Sequence, residues 1–136
     1  MDYSQILAIS ANGMTLERTR VEVAALNLAN ANTVAAPGAT AYQPLRVVAQ
    51  PSFGDTVAQG LNASVQVVPT MQPPRTVYEP NHPMANAQGF VSYAGVDPAG
   101  EMVTLMSATR SYEANVAAMN ATRNMALKAL DIGGGS

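Results

Sequence analysis

Cysteine is absent from the 136 residues, which excludes a disulfide framework and a cysteine nucleophile and leaves either redox compartment open. Charge is scarce: Asp, Glu, Lys and Arg make up 12% of the chain, against roughly 25% in an ordinary soluble domain. With a formal net charge of -2, no basic run and no Cys/His finger spacing, the chain lacks the electrostatic footprint of a nucleic-acid binder. No run of about 18 apolar residues occurs, so no transmembrane helix is expected. The amino terminus, MDYSQILAISANGM, has neither a basic n-region nor an A-x-A cleavage site, and is not a usual secretory signal. Such a protein either stays inside or leaves by a route without cleavage.

What the chain does have is neutral surface built from Ala, Asn, Ser, Thr and Gln, which suits close protein contact better than isolation in solution. The clearest periodicity lies between Glu101 and Ile132. Met102, Leu105, Thr109, Tyr112, Val116, Met119, Arg123, Ala126 and Leu130 follow a 3-4 alternation that marks one stripe of a long helix. Asp97 is a candidate N-cap with Pro98 at the first helical position; Lys128 falls in the last turn and Gly133 where a left-handed cap is wanted. The opposite side carries Ala114, Ala117, Ala118 and Ala121 instead of charges. A helix that is small or apolar nearly all round is normally covered on more than one side. Burial by neighbouring copies is one explanation; a plain two-helix coiled coil with a weakly polar back is the other.

From Asp2 to Asn30 the pattern is again helical and again two-faced, with Ile6, Ile9, Leu16 and Val23 on one side and Leu7, Met14, Val21 and Leu28 on another. Gly13 costs about 1 kcal/mol of helix propensity relative to Ala, and either frays the first turns or lets another backbone come close. The asparagines of Asn27-Leu28-Ala29-Asn30-Ala31-Asn32-Thr33 compete with the backbone for hydrogen bonds and end the helix. Val34 to Tyr42 is expected to be loop, with a turn at Pro37-Gly38.

Between Tyr42 and Asp97 the periodicity shortens. Leu45 to Ala49, Leu61 to Val68, Thr76 to Tyr78 and Phe90 to Tyr93 are candidate strands, kept to edges by Pro69, Pro73, Pro74, Pro80 and Pro83. The expected fold is mainly α with a small β insert: long N- and C-terminal helices paired as an antiparallel coiled coil, with short β-hairpins between them. In residue terms, 1–33 is expected to be the first helix of the coiled-coil domain, 34–97 the loop and β-rich segment, 98–132 its second helix and 133–136 a flexible tail.

No chemistry-bearing constellation stands out. His82 has one nearby carboxylate, Glu79, and no second histidine, so a metal site lacks ligands and no cofactor is expected. No nucleophile elbow, P-loop or dinucleotide fingerprint occurs. Gln72-Pro73-Pro74-Arg75 suits a stiff connector better than a polyproline ligand, and the methionines suit core filling better than a peptide-binding surface. An enzyme is not expected.

Three stretches resemble the axial proteins of the bacterial flagellum, the rod and hook family. Asn27, Asn30, Asn32 and Thr33, followed by Gly38 and Tyr42, are similar to the N-terminal signature of that family. Ser111-Tyr112-Glu113-Ala114-Asn115 and Met125 to Gly133 are similar to a C-terminal pattern of its proximal rod members. Tyr78-Glu79-Pro80-Asn81-His82-Pro83 with Gly89-Phe90-Val91-Ser92-Tyr93 resembles a middle segment of that same subgroup. The resemblance covers about two thirds of the chain, and no motif covers Gln50 to Met71. It implies a structural subunit exported through the flagellar type III apparatus without signal cleavage. Such a subunit polymerises helically with itself and other rod proteins around the export channel, forming the torque-transmitting rod of the basal body across the periplasm. Ile9, Leu16, Val23, Leu28, Leu105, Tyr112, Val116, Met119 and Leu130 are then the expected helix and subunit contacts. The alternative is a coiled-coil binding module whose Pro-rich β segment recognises a protein partner.

Overall fold

Two long helices are the frame on which the β elements hang. In the computed structural model, which describes residues 3–51 and 63–133, α1 spans Tyr3–Ala29 and α2 spans Pro98–Gly133. Between them lie β1 (Val34–Ala35), β2 (Leu45–Pro51), β3 (Ala63–Pro69), β4 (Arg75–Tyr78) and β5 (Phe90–Tyr93). The chain is thus two terminal helices with small antiparallel sheets between them. The tail expected at 134–136 lies outside the described residues.

The helix ends follow from local chemistry. Asp97 caps α2, its Oδ1 accepting from the Ala99 N–H at 3.2 Å and its carbonyl from the Glu101 N–H at 3.0 Å. Pro98 is the first helical residue, where its missing N–H costs nothing. Gly133, expected as a left-handed cap, is instead the last helical residue; among the described residues only Gly38 and Gly89 have positive φ. α1 ends where the Asn30 side chain turns back to donate to the Leu26 carbonyl at 2.9 Å.

Two contacts fix how the helices run. The carboxamide of Asn115 lies on Gly13, so close that a Cβ there would meet Nδ2 at 2.8 Å. Asn27 reaches Glu101 on α2 at 3.0 Å. Going from Gly13 to Asn27 along α1 is the same number of residues as going back from Asn115 to Glu101 along α2. The helices are therefore antiparallel in one unbroken register. By that register Tyr3 stands beside Met125, and the last two turns of α2 extend past the first described residue of α1 by about 12 Å.

Most of the buried residues of the two helices are small or polar. Ser10, Glu17, Val23, Ala24 and Asn27 are buried on α1, and Ala108 and Thr122 on α2. On α2, Leu105, Val116, Met119 and Ala126 of the expected stripe are half-buried, while Met102, Thr109, Tyr112, Arg123 and Leu130 are exposed. The contact thus lies partly beside that stripe, at Ala108 and Thr122, and the missing side chain at Gly13 leaves room for the Asn115 carboxamide.

The two sheets sit beside the Asn27 and Glu101 end of the helix pair. β2 and β3 form an antiparallel ribbon from Leu45↔Pro69 to Pro51↔Ala63, with β2 against α1. β5 is the centre of the other sheet, flanked by β4 and by β1 through Val34↔Tyr93 and Ala35↔Ser92. The segment from Val34 to Tyr42, expected to be loop throughout, thus opens with a short strand. Two residues carry too little alternation to announce a strand; the pairing comes from β5 and from the Ala94 N–H donating to the Thr33 carbonyl at 3.1 Å. No proline occurs in central β5, and those of β2 and β3 stand at strand ends. Among the described residues the buried apolar core is small: Val23, Ala24, Ala31, Ala41, Val91, Ala94 and Ala108.

Candidate functional site

Asn27 joins the end of α1 to the Tyr42–Leu45 segment and to the start of α2. Its side chain is completely buried. Nδ2 donates to the Leu45 carbonyl at 2.9 Å and to Glu101 Oε1 at 3.0 Å. Oδ1 accepts from the Leu45 N–H at 2.9 Å and from the Tyr42 hydroxyl at 3.0 Å. A carboxamide offers two donors and two lone pairs, and all four are used. The pair of bonds to Leu45 mimics a strand partner, so the end of α1 acts as the edge that starts β2. Burial, and after it the negative charge of Glu101, pushes the Tyr42 phenol above its ordinary range.

The other signature residues build the turn that follows. The Thr33 hydroxyl donates to Asn30 Oδ1 at 3.2 Å. Gly38 has φ +79° after Pro37, and the Ala39 N–H donates to the Ala36 carbonyl at 2.9 Å. Proline then a positive-φ glycine in a closed four-residue turn is the type II arrangement. Asn32 and Glu113 are exposed, and Asn115 is half-buried on Gly13.

The middle motif is the β4–β5 hairpin with its loop. Tyr78 and Phe90 pack edge to face, centroids 5.3 Å apart. The Tyr93 hydroxyl donates to the Glu79 carboxylate at 3.1 and 3.2 Å, and the Arg75 guanidinium lies 5.1 Å from the Tyr93 ring centre. Desolvation and the bond to Glu79 raise the Tyr93 phenol. His82 Nδ1 accepts from the Met84 N–H at 3.1 Å, and Asn86 Oδ1 accepts from Gln88 and Phe90, so these side chains hold the loop's own backbone. Among the described residues no group of three or more His, Cys, Asp or Glu could hold a metal ion.

Of the expected contact residues, Val23 is buried and Leu16, Leu28, Leu105, Val116 and Met119 are half-buried. Ile9, Tyr112 and Leu130 are exposed, at 51%, 39% and 71%. Missed by sequence reasoning were Ser10, Glu17, Ala108, Thr122 and above all Glu101. The only available signal for Glu101 was a carboxylate in the first turn of α2, where the helix dipole already accounts for it. Among the described residues, no helix is long and apolar enough to cross a membrane.

Residues 87–132, from the end of the hairpin loop through β5 and most of α2, match the family model described as Flagellar basal body rod FlgEFG protein C-terminal. The paired terminal helices and the asparagine junction thus belong to a structural protein of the flagellar rod class. Similarity extends over nearly the full chain. It is 41% identical over 128 residues to the flagellar basal-body rod protein FlgC of Escherichia coli O157:H7, covering 94% of this chain and 96% of that one. Identity to FlgC of Salmonella typhimurium is 39% over 128 residues, with the same coverage. For FlgC of Bacillus subtilis it is 39% over 143 residues, covering 93% and 95%. The chain belongs to the FlgC family of flagellar basal-body rod proteins. It is a structural subunit and not an enzyme.

Proposed function

We propose that this subunit polymerises helically with copies of itself and with other rod proteins around the export channel, and that the array transmits torque across the periplasm. The observation that carries this reading is the outward placement of large apolar side chains on both helices. Ile9, Leu26, Met106, Tyr112, Met125 and Leu130 are all more than a third exposed, while most of the residues that the two helices do bury are small or polar. A monomer gains little from that arrangement. In a helical array these faces are covered by neighbours, through heterologous contacts that propagate without closing.

In this reading α1 and α2 form the inner coiled-coil domain, and the β segment lies outside against adjacent subunits. Ile9, Leu16, Val23, Leu28, Leu105, Tyr112, Val116, Met119 and Leu130 divide between pairing within the subunit and contact with the next. Many modest apolar contacts suit a torque-bearing shaft, since exposed ion pairs such as Arg18–Glu22 contribute only about 0–1 kcal/mol each. Export is through the flagellar type III apparatus without signal cleavage, and marginal helices ease passage of the unfolded chain.

The test is Leu130→Asp. The side chain is 71% exposed, so the purified monomer keeps its urea midpoint, whereas incorporation into basal bodies and swimming are lost. Normal motility with Asp at this position would count against the reading.

A further inference from the structure

Asn12-Gly13 is the only Asn-Gly dipeptide in the chain, and it falls in the middle of a helix, under the side chain of a residue from the other helix. We propose that this dipeptide is a self-modifying site, closed while α1 lies against α2 and open when the helix is unpaired. The proposal rests on the reading above, in which the helices gain much of their stability from assembly.

The chemistry needs only water. The backbone nitrogen of Gly13 gives up its proton and attacks Cγ of Asn12. A nitrogen–Cγ bond forms, the Cγ–Nδ2 bond breaks, and ammonia leaves with the proton. Water then opens the five-membered imide at either carbonyl, giving aspartate or isoaspartate. In the isoaspartate the main chain runs through the former side chain and is one methylene longer. Glycine favours the attack because no Cβ obstructs it and its backbone reaches conformations closed to other residues.

Two features of the folded molecule hold the reaction off. Within α1 the Gly13 N–H belongs to the helical ladder and donates to the Ile9 carbonyl, so the nucleophile is engaged and turned away from Cγ. The Asn115 carboxamide also rests on Gly13, close enough that even a methyl there would meet Nδ2 at 2.8 Å. α1 has no acidic residue in its first turn and no basic residue in its last, so when unpaired it lacks the charge-dipole support that would keep the ladder closed. The consequence lands on the same spot. An added methylene breaks the ladder where Asn115 must seat, and the new carboxylate stands beside that contact. A chain left unpaired for long thereby loses its ability to assemble, and the dipeptide acts as a clock on unassembled subunits.

The experiment follows isoaspartate at Asn12 by peptide mapping in three samples of the full chain aged side by side: urea-unfolded, native monomer, and intact rods. The unfolded chain and the monomer are expected to convert at least about tenfold faster than rods, a ratio equal to about 1.4 kcal/mol of ladder stability. Aged wild-type monomer loses assembly competence, and Asn12→Gln, which cannot form the five-membered imide, keeps it through the same ageing. Absence of product from the unfolded chain, or equal rates in unfolded chain and rods, overturns the proposal. Conversion in the monomer as slow as in rods, with the unfolded chain fast, overturns instead the assembly-dependent helix stability and leaves the chemistry of the site standing.

Discussion

Asn27 and Glu101 lie 74 positions apart in the chain and share a 3.0 Å hydrogen bond that ties the end of the first helix to the start of the second. Because the same carboxamide also holds Tyr42 and both backbone groups of Leu45, helix pairing and the start of the β segment depend on one side chain. Folding of the two parts is coupled at that point.

Asn27→Leu should therefore be far more damaging than an ordinary core change of similar size. It leaves the Leu45 amide and carbonyl, the Tyr42 hydroxyl and one Glu101 oxygen without their partner, and each unsatisfied buried group costs about 1–3 kcal/mol. A loss of about 3 kcal/mol or more is expected in urea unfolding, enough to unfold a marginal monomer. Asn27→Asp should also destabilise at neutral pH, since an acceptor then faces both the Leu45 carbonyl and the Glu101 carboxylate, and part of the loss should return on acidification as the introduced carboxylate protonates and becomes a donor.

The Tyr42 phenol is raised in the folded state, so the native chain holds this proton more tightly than the unfolded one. The stability tied to that proton is complete below the usual phenol value of 10.0 and disappears as pH rises through the folded value. Alkaline unfolding followed by circular dichroism should begin at lower denaturant as pH climbs past that range. Tyr42→Phe should flatten this dependence while costing about 1 kcal/mol at neutral pH for the lost bond to Asn27.

Gly13 and Asn115 form a pair whose coupling a double-mutant cycle can read. Gly13→Ala gains about 1 kcal/mol of helix propensity but presses the new methyl against the Asn115 carboxamide. In the Asn115→Ala background the methyl has room. The Gly13→Ala change should stabilise there and be neutral or destabilising in the wild-type background, with a coupling of about 1 kcal/mol in thermal melts.

Gly38 and Gly89 share a positive φ but differ in their surroundings. An Ala side chain at Gly38 meets nothing within 4 Å, so Gly38→Ala should cost only the backbone term of about 1 kcal/mol. At Gly89 the same methyl would come within 2.8 Å of the Tyr78 ring, and Gly89→Ala should cost clearly more and disturb the Tyr78–Phe90 edge contact. Urea midpoints and tyrosine ring shifts in NMR spectra distinguish the two.

Much of the local structure was legible in the residues. Asp97-Pro98 marked the start of α2, the asparagine run marked the end of α1, and Pro37-Gly38 marked a turn. Each works through chemistry contained within a few residues. The strands β2 to β4 were visible in the same way, from β-branched residues next to prolines, and β5 from the short run Phe90-Val91-Ser92-Tyr93 after Gly89. β1 was not, because two residues have no periodicity and owe their strand conformation to a partner almost sixty positions later. The shape of the junction was half visible: Asn27 and Tyr42 stood out as family signature residues, while Glu101 carried no mark of its role.

By itself the sequence determined the type and ends of the main elements, the absence of a disulfide framework, and the surplus of apolar helix surface that asks for neighbours. Tertiary structure decided which side of each helix faces the other. A helix that is apolar nearly all round has no single preferred face, so its rotation was left to features that act only across space. One is the room that Gly13 leaves for the Asn115 carboxamide; the other is the buried carboxamide of Asn27, whose bond to Glu101 ties the end of α1 to the start of α2.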